Sequence, residues 1–409
     1  MEHVAKIKSI DLFAGCGGLM DGFEQSGKYS TIACVEWEKA ACENLTNRLE
    51  NKWRYSDAKD RVFRFDIQRT DELLYGWQCD SEYGTNKGLI EQVEKQSGID
   101  LIIGGPPCQA YSLALRNREG NGIENDYRNF LFESYIRVVD CFKPKVFVFE
   151  NVPGILSANP TGIPIPEMII EGFSSIGYAV PENLKGMAVI DFTKYGIPQN
   201  RKRVIIVGLR KDCFVDYKKT FEMFYREYLP KFKCDTLSTV QQAIGDLPKF
   251  YPSEEYYKVK GRNFSHFPCE SSVPNHTPRY HNQRDIAIFK ILADDIRSGQ
   301  NKFTSSEALK EIYKSFTGKR SNVHKYYVLR ENEPSNTIPA HLYKDGLRHI
   351  HPDPEQARSI TVREAARLQT FDDEYAFTGS IMDQYKMIGN AVPPAFAQKL
   401  ALAVSKLFE

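Results

Sequence analysis

An α/β protein with a doubly wound sheet and a smaller second domain is what this sequence predicts, on the strength of three stretches. Lys8–Phe13 is a short strand that runs through Asp11–Gly18 (DLFAGCGG) into a helical stretch ending near Gly27, and strand, glycine loop, helix is the layout of a cofactor cradle. Thr31–Trp37 is a second strand whose acidic end, Glu36, comes about twenty residues after that loop, where a doubly wound sheet can grip a ribose. Asp100–Ser112 (DLIIGGPPCQAYS) is an apolar strand that opens through two glycines and two prolines onto Cys108. The glycines allow a tight exit and the prolines fix φ, so the thiol stands on a stiff loop.

Each element has a plainer reading beside the functional one. Gly15, Gly17 and Gly18 let a ligand approach the backbone, although the full GxGxxG of dinucleotide enzymes is absent and many strand-to-helix turns carry two glycines. Trp37 offers a flat face for adenine beside Glu36; otherwise the pair is a core-rim residue and a surface carboxylate. A third strand, Val62–Phe65, ends in Asp66 and Ile67, so three successive strand ends present adenosine-like contacts. Gln68–Gly98 is mixed and polar with a helix at Gly88–Gln96, and reads as an insertion or an elaborated crossover. For the loop at Cys108 taken alone, the first reading is a proline-stiffened turn around an inert buried thiol. Arg116–Arg128 is aperiodic and rich in Gly, Asn and charge, hence a loop and candidate lid, and Asn129–Phe142 is a helix with one buried face.

Lys143–Val152 is the next strand and ends in Glu150 and Asn151. Flanked by Phe149 and Val152, the Glu150 carboxylate is expected to be partly desolvated, which raises its pKa and lets it share a proton near neutral pH; the alternative is a structural cap on the loop that follows. Strands near Met187–Ile190 and Val204–Gly208 close the sheet. In QNRKR, Gln199, Arg201 and Arg203 alternate and share one face of an extended chain, suited to gripping an anion or a carbonyl-rich base unless it is simply a basic surface strand.

Charge separates the second domain from the first. Cys213 to Ile350 carries 22 Lys+Arg against 16 Asp+Glu, a balance of +6, while the remainder carries 32 against 37, so the overall +1 conceals a segregated basic excess. KFYPSEEYYKVKGRNFSHF and SSVPNHTPRYHNQR interleave aromatic and basic residues there, the texture of a polyanion-facing module, or of a solvated basic surface. A helix is expected over Asp285–Ser298, another within Ser359–Phe371 capped by Thr361 and carrying Arg363, Glu364 and Arg367, and a last one from Ala395.

Composition bounds the function. With 42% hydrophobic and 26% charged residues and no apolar run near the roughly 20 residues that span a bilayer, no membrane role is expected. The opening MEHVAKIKS lacks a charged-then-apolar signal layout, so a cytoplasmic location is expected. Nine scattered cysteines without a CxxC pair point to reduced thiols, and His349 and His351 have no Cys or carboxylate partner in sequence, so no metal site is expected.

Together DLFAGCGG, VEW, GGPPCQAYS, FENV, QNRKR, TVREAARLQ and GNAVPP, in this order, resemble the DNA (cytosine-5) methyltransferases of the bacterial modification type. The resemblance covers most of the chain. It implies an S-adenosylmethionine-dependent, Rossmann-like catalytic domain at 1–212 plus 376–409 and an inserted target-recognition domain at 213–375. Lys211–Asp353 matches the family closely only at VPNH and EPSNTIPAH, and Gln68–Gly98 is longer than in its minimal members.

The resemblance also implies roles. Cys108 adds as thiolate to C6 of cytosine, Glu150 stabilises the adduct at N3 with support from Asn151, and Arg201 contacts the base's O2 and helps hold the Cys108 loop, with Gln199 and Arg203 in support. The base is flipped out of double-stranded DNA, the 116–128 loop closes over it, and Gln109 or Ser112 fills the vacated stack. For S-adenosyl-L-methionine it implies Phe13, Gly15, Gly17, Glu36, Trp37, Asp66, Ile67 and Pro107, with Asn390 and Val392 at the methionine end. A monomer serving beside a cognate restriction endonuclease is the expected setting. A tRNA cytosine-5 methyltransferase, disfavoured by the long recognition region and the missing Cys-Phe-Thr tripeptide, and a catalytically silent DNA-binding relative are the alternatives.

Overall fold

The computed structural model describes residues 5–107, 131–159, 162–268, 271–344 and 346–409. Cys108, Gln109, Ser112 and the expected lid at 116–128 lie outside the described residues.

The apolar runs of the sequence become strands β1 (Ile7–Leu12), β2 (Tyr29–Glu36) and β3 (Val62–Arg64). A small hairpin of β4 (Trp77–Asp80) and β5 (Gly84–Asn86) follows, then β6 (Leu101–Gly104), β7 (Val146–Asn151), β8 (Tyr178–Ala179), β9 (Val189–Asp191) and β10 (Lys202–Arg210). Apart from the hairpin they form one sheet in the order β3-β2-β1-β6-β7-β10-β8, with β9 paired to β10. Pairing is parallel from β3 to β7 and antiparallel at β10. Strands covered on both faces read as unbroken apolar runs, and β6 and the Val146–Phe149 part of β7 are fully buried. Strand order reverses between β1 and β6, so their C-terminal ends open on the crevice where doubly wound sheets take ligands.

The predicted helices are present as Gly18–Gln25, Gly88–Lys95, Leu131–Phe142, Gln283–Arg297, Val362–Leu368 and Pro394–Ser405. Thr361 caps its helix in a capping box with Glu364, satisfying two backbone N–H groups that a helix start leaves open. The 68–98 stretch is a helix (Thr70–Tyr75), the β4–β5 hairpin and the Gly88–Lys95 helix, stacked on the sheet edge through Phe65 and Trp77, whose rings lie 3.9 Å apart.

Two compact units emerge: Met1–Tyr195 with Lys202–Cys234 and Ala391–Glu409, and Gly196–Arg201 with Asp235–Asn390. Residues 213–234, expected with the recognition domain, belong to the first unit because the Tyr225 hydroxyl is tied to β10, accepting from Val207 N–H at 3.0 Å and donating to the Ile205 carbonyl at 2.8 Å. The Ile381–Asn390 helix, expected with the catalytic domain, stays in the second unit, where the Tyr385 hydroxyl donates to the Ile360 carbonyl. The C-terminal segment rejoins the first unit through glycine. A Cβ on Gly18 would lie 2.2 Å from the Val392 carbonyl oxygen, and one on Gly22 would lie 2.4 Å from Ala397 Cβ. Gly18→Ala is therefore expected to destabilise the chain by about 1–3 kcal/mol, since the opposing atom is backbone and cannot swing away; the urea midpoint measures it.

The second unit packs around Ile286, Ile288, Phe289, Leu292, Tyr326, Val328 and Ile350. Beside that core Arg358 and Glu364, both fully buried, form a two-pronged ion pair at 2.7 and 2.6 Å. A further hairpin, β11 (Tyr251–Val259) with β12 (Arg262–Phe267), belongs to the same unit.

Candidate active site

Three adjacent strand ends build one cradle in the first unit. β1 leads into Phe13 and Gly15, which take φ of 59° and 55°, and Gly17 follows at 82°. This left-handed turn lets the chain pass from strand to helix within a few residues. A Cβ added at Gly15 would meet nothing within 4 Å, so the loop has open space against it.

Glu36 closes the turn from the side. Its Oε2 accepts the Gly15 N–H at 2.8 Å, and its Oε1 accepts Trp37 N–H at 2.9 Å and Glu38 N–H at 2.8 Å. Burial pushes the Glu36 carboxyl above its ordinary value, and these backbone donors pull it back. Three donors leave the carboxylate room to accept from a further hydroxyl. Trp37, next along, is half exposed, and so presents an indole face to whatever binds there. β3 lies on the far side of β2, with Glu36 opposite Arg64 and Phe65 N–H donating to the Glu36 carbonyl, which sets Asp66 and the buried Ile67 at the same end of the sheet.

Asp11 is the feature that sequence reasoning passed over. It is fully buried at the end of β1, its Oδ2 accepts Met20 N–H at 3.1 Å, and its Oδ1 has no partner among the described residues. Burial pushes its pKa well up, and the nearby Glu36 carboxylate adds to the rise. A carboxylate closing an apolar strand just before a helix start was the available signal.

The second half of the crevice lies at the ends of β6 and β7. Gly105 leaves β6 so close to Glu150 that a Cβ there would sit 2.6 Å from Oε2. Asn151, buried, donates its Nδ2 to the Pro106 carbonyl at 3.1 Å and accepts Val152 N–H at its Oδ1. Pro106 is thus tied through its carbonyl to the end of β7, and the exposed Pro107 comes next. Arg203 Nε lies 2.9 Å from Glu150 Oε1, both side chains nearly buried.

The basic triplet divides. On the β10–β7 ladder Ile205 faces Glu150, so Arg203, two residues away on the same face, reaches it diagonally. Arg201 precedes β10; its guanidinium donates to the Ile338 and Gly389 carbonyls and to Gln199 Oε1. Gln199 in turn donates to the Leu368 carbonyl and Gln369 Oε1 and accepts Ile338 N–H. Arg203 is a guanidinium beside Glu150. Val392 stands by its carbonyl against Gly18, behind the glycine turn, whereas the exposed Asn390 ends a helix of the second unit.

Among the described residues no His, Cys, Asp or Glu cluster could hold a metal, and no helix is long and apolar enough to cross a membrane.

The chain is similar to known proteins along nearly its whole length. A family model described as C-5 cytosine-specific DNA methylase matches residues 7–406. The Type II methyltransferase M.Bpa9945I of Bacillus paralicheniformis is 36% identical over 451 residues, covering 97% of this chain and 98% of its own. The Type II methyltransferase M.DdeI of Desulfomicrobium norvegicum is 32% identical, covering 98% and 89%. Among solved structures, a putative DNA modification methyltransferase encoded within a prophage of E. coli superposes with a TM-score of 0.60 at 24% identity, covering 98% and 99% of the two chains, and shares the fold.

Proposed function

This chain belongs to the C-5 cytosine-specific DNA methylase family and is a DNA cytosine-5 methyltransferase of the restriction-modification kind; we propose that it acts on a flipped-out cytosine of one short duplex sequence through a covalent Cys108–C6 adduct. The observation that carries this mechanism is the knot of Gly105, Pro106, Glu150, Asn151 and Arg203 at the root of the Cys108 loop.

Cytosine C5 is a poor nucleophile. Attack of the Cys108 thiolate on C6 converts the ring into an enamine, whose electron pair is returned to C5 for bond formation to the incoming methyl. Glu150, held by Arg203, gives its carboxyl proton to N3 as the thiolate adds, neutralising the charge that the addition places there, and takes it back when the adduct collapses. Asn151 keeps the Pro106 peptide, and with it the thiol's approach, in place. Loss of the C5 proton then drives Cys108 out, restoring the thiolate and the C5–C6 double bond. Arg203 has the position beside Glu150 from which a base carbonyl could be bound, and Arg201 and Gln199 act by holding the segments they bond to.

The methyl donor of this enzyme class is S-adenosyl-L-methionine, which supplies an electrophilic methyl group. The open turn at Gly15 and the buried Glu36 carboxylate with acceptor capacity left fit such a ligand. In this reading Glu36 takes the ribose hydroxyls, Phe13, Trp37, Asp66 and Ile67 the adenine, Gly15 and Gly17 the close approach, and Pro107, Asn390 and Val392 the methionine side. Glu36→Gln is expected to weaken cofactor binding about 10- to 100-fold, the worth of a charge-assisted hydrogen bond, as measured by calorimetry.

The setting we propose is a cytoplasmic monomer paired with a restriction endonuclease of the same specificity. Base-resolved 5-methylcytosine sequencing of DNA from a methylation-free host expressing the chain tests the activity: one short motif fully methylated supports it. DNA free of methylcytosine despite folded protein, with transfer to tRNA instead, overturns the duplex substrate.

A further inference from the structure

Several cations of the second unit are paired with carboxylates. Arg284 pairs with Asp285, Arg297 with Asp353 and Glu331, Lys249 with Asp353, and Arg367 with Asp246 and Asp373. The tip of the β11–β12 hairpin gathers three cations within five residues. Lys258, Lys260 and Arg262 are exposed there, and among the described residues none has a carboxylate partner; Arg262 rests over the Phe264 ring at 5.3 Å. The two acidic residues of the hairpin, Glu254 and Glu255, sit in the irregular stretch between Pro252 and Tyr257. At roughly 3.3 Å per residue that is about 10 Å back from Lys258.

The hairpin is stiff at its base and bare at its tip. His266 Nε2 bonds to the Gln356 carbonyl at 2.9 Å, Ser265 Oγ accepts His281 N–H at 2.9 Å, and the Tyr257 hydroxyl donates to the His266 carbonyl at 2.6 Å. Gln283 Nε2 holds the irregular stretch by the carbonyls of Ser253 and Glu254. At the other end Lys260 and Gly261 turn the chain with φ of 48° and 79°, the two positive values that a two-residue hairpin of right-handed twist requires. Lys258 stands opposite Asn263 on one face, while Tyr257 opposite Phe264 and Val259 opposite Arg262 share the other, so at the tip Arg262 leaves from the aromatic face and Asn263 from the face that carries Lys258.

From the anchored His266 to Arg262 the ribbon extends about 13 Å, more than the roughly 8.5 Å depth of a DNA major groove, which admits a two-stranded ribbon. We propose that the β11–β12 tip is a sequence-reading element that enters the major groove of the substrate duplex, with Arg262 and Asn263 at base edges and Lys258 and Lys260 on the flanking phosphates. This rests on the DNA methyltransferase reading and assigns its target choice. The chemistry divides the four residues: a guanidinium suits the two acceptors of guanine, a carboxamide the donor and acceptor of adenine, and ammonium groups the phosphates.

The test compares the unaltered chain with Arg262→Ala, Asn263→Ala and the double variant Lys258→Ala/Lys260→Ala, all first checked for an unchanged urea midpoint, as their exposed positions predict. In a methylation-free host the first two are expected to relax the methylated motif at one position each, losing about 5- to 150-fold discrimination between the right and wrong base there. The double variant is expected to keep the motif while its DNA affinity loses salt dependence, the log–log slope falling by about 2. Tip variants with the motif and the salt slope of the unaltered chain overturn the assignment while leaving the methyltransferase reading intact. An unaltered chain that methylates no DNA overturns both.

Discussion

Cys108→Ser is expected to lower methyl transfer at least roughly 1,000-fold, since a serine hydroxyl at neutral pH is almost wholly protonated and a far poorer nucleophile than a thiolate. Cofactor affinity is expected to survive, because the cradle of Gly15, Glu36 and Trp37 is built at the ends of β1 and β2, and Cys108 contributes to neither. A substrate in which fluorine replaces the C5 hydrogen separates the step that fails. Addition and methyl transfer proceed on it, but no proton can leave C5, so the enzyme remains bonded to C6. The unaltered chain with cofactor should form a complex stable to denaturants, and the Ser variant none. A covalent complex with the variant sinks the role of Cys108 and places the chemistry at another nucleophile. Glu150→Gln in the same assay is expected to slow formation of the complex without weakening cofactor binding, because the Glu150–Arg203 pair stands where β7 ends and β10 begins, not at the ends of β1 and β2.

The cradle was legible in the sequence because its parts are local. A parallel strand buried on both faces must be an apolar run, a turn of positive φ favours glycine, and the distance from glycine loop to Glu36 is one helix and one strand. The β7 end was legible for the same reason: Glu150 and Asn151 stand where an unbroken apolar run stops. What local pattern does not hold is register. Gln199, Arg201 and Arg203 are equivalent on an extended chain, and only the antiparallel pairing of β10 with β7 puts Ile205 opposite Glu150 and hence Arg203 beside it. The β4–β5 hairpin escaped notice because strands of three and four residues, mostly polar, carry no period. The partition of 213–234 turned on contacts distant in sequence, the Tyr225 hydroxyl on the backbone of β10 and Cys234 N–H on the Lys194 carbonyl among them. The sequence reads Gly104 and Gly105 as a tight exit from β6, and the missing side chain of Gly105 is also what lets the Glu150 carboxylate stand against that exit.

The second unit should be unusually sensitive to mild acid, and the cause is histidine. Burial pushes His266 and His349 down to about 4 and His351 to about 3, and the Arg358 guanidinium near His266 and His351 adds to the drop. His281 and His276 are displaced in the same direction, again chiefly by burial. Glu364 acts the other way: burial alone would raise its carboxyl, but Arg358 outweighs it and holds the group below the carboxylate range, so this pair stays ionised throughout. The sign follows from linkage. Above the unfolded histidine value of about 6.5 both states are neutral and the fold has its full stability; below it the unfolded chain takes up protons that the native unit refuses, and stability falls until the pH reaches the native values near 4. A depression from about 6.5 to about 4 corresponds to roughly 3 kcal/mol for one histidine. Urea midpoints should therefore drop steeply between pH 6.5 and 4, at a pH where most carboxylates are still ionised. His349→Gln should flatten that slope by close to one proton, whatever it does to stability at pH 7.5. A midpoint unchanged between pH 7 and pH 5 would mean that these imidazoles titrate in the folded chain as they do in the unfolded one, and that solvent reaches them.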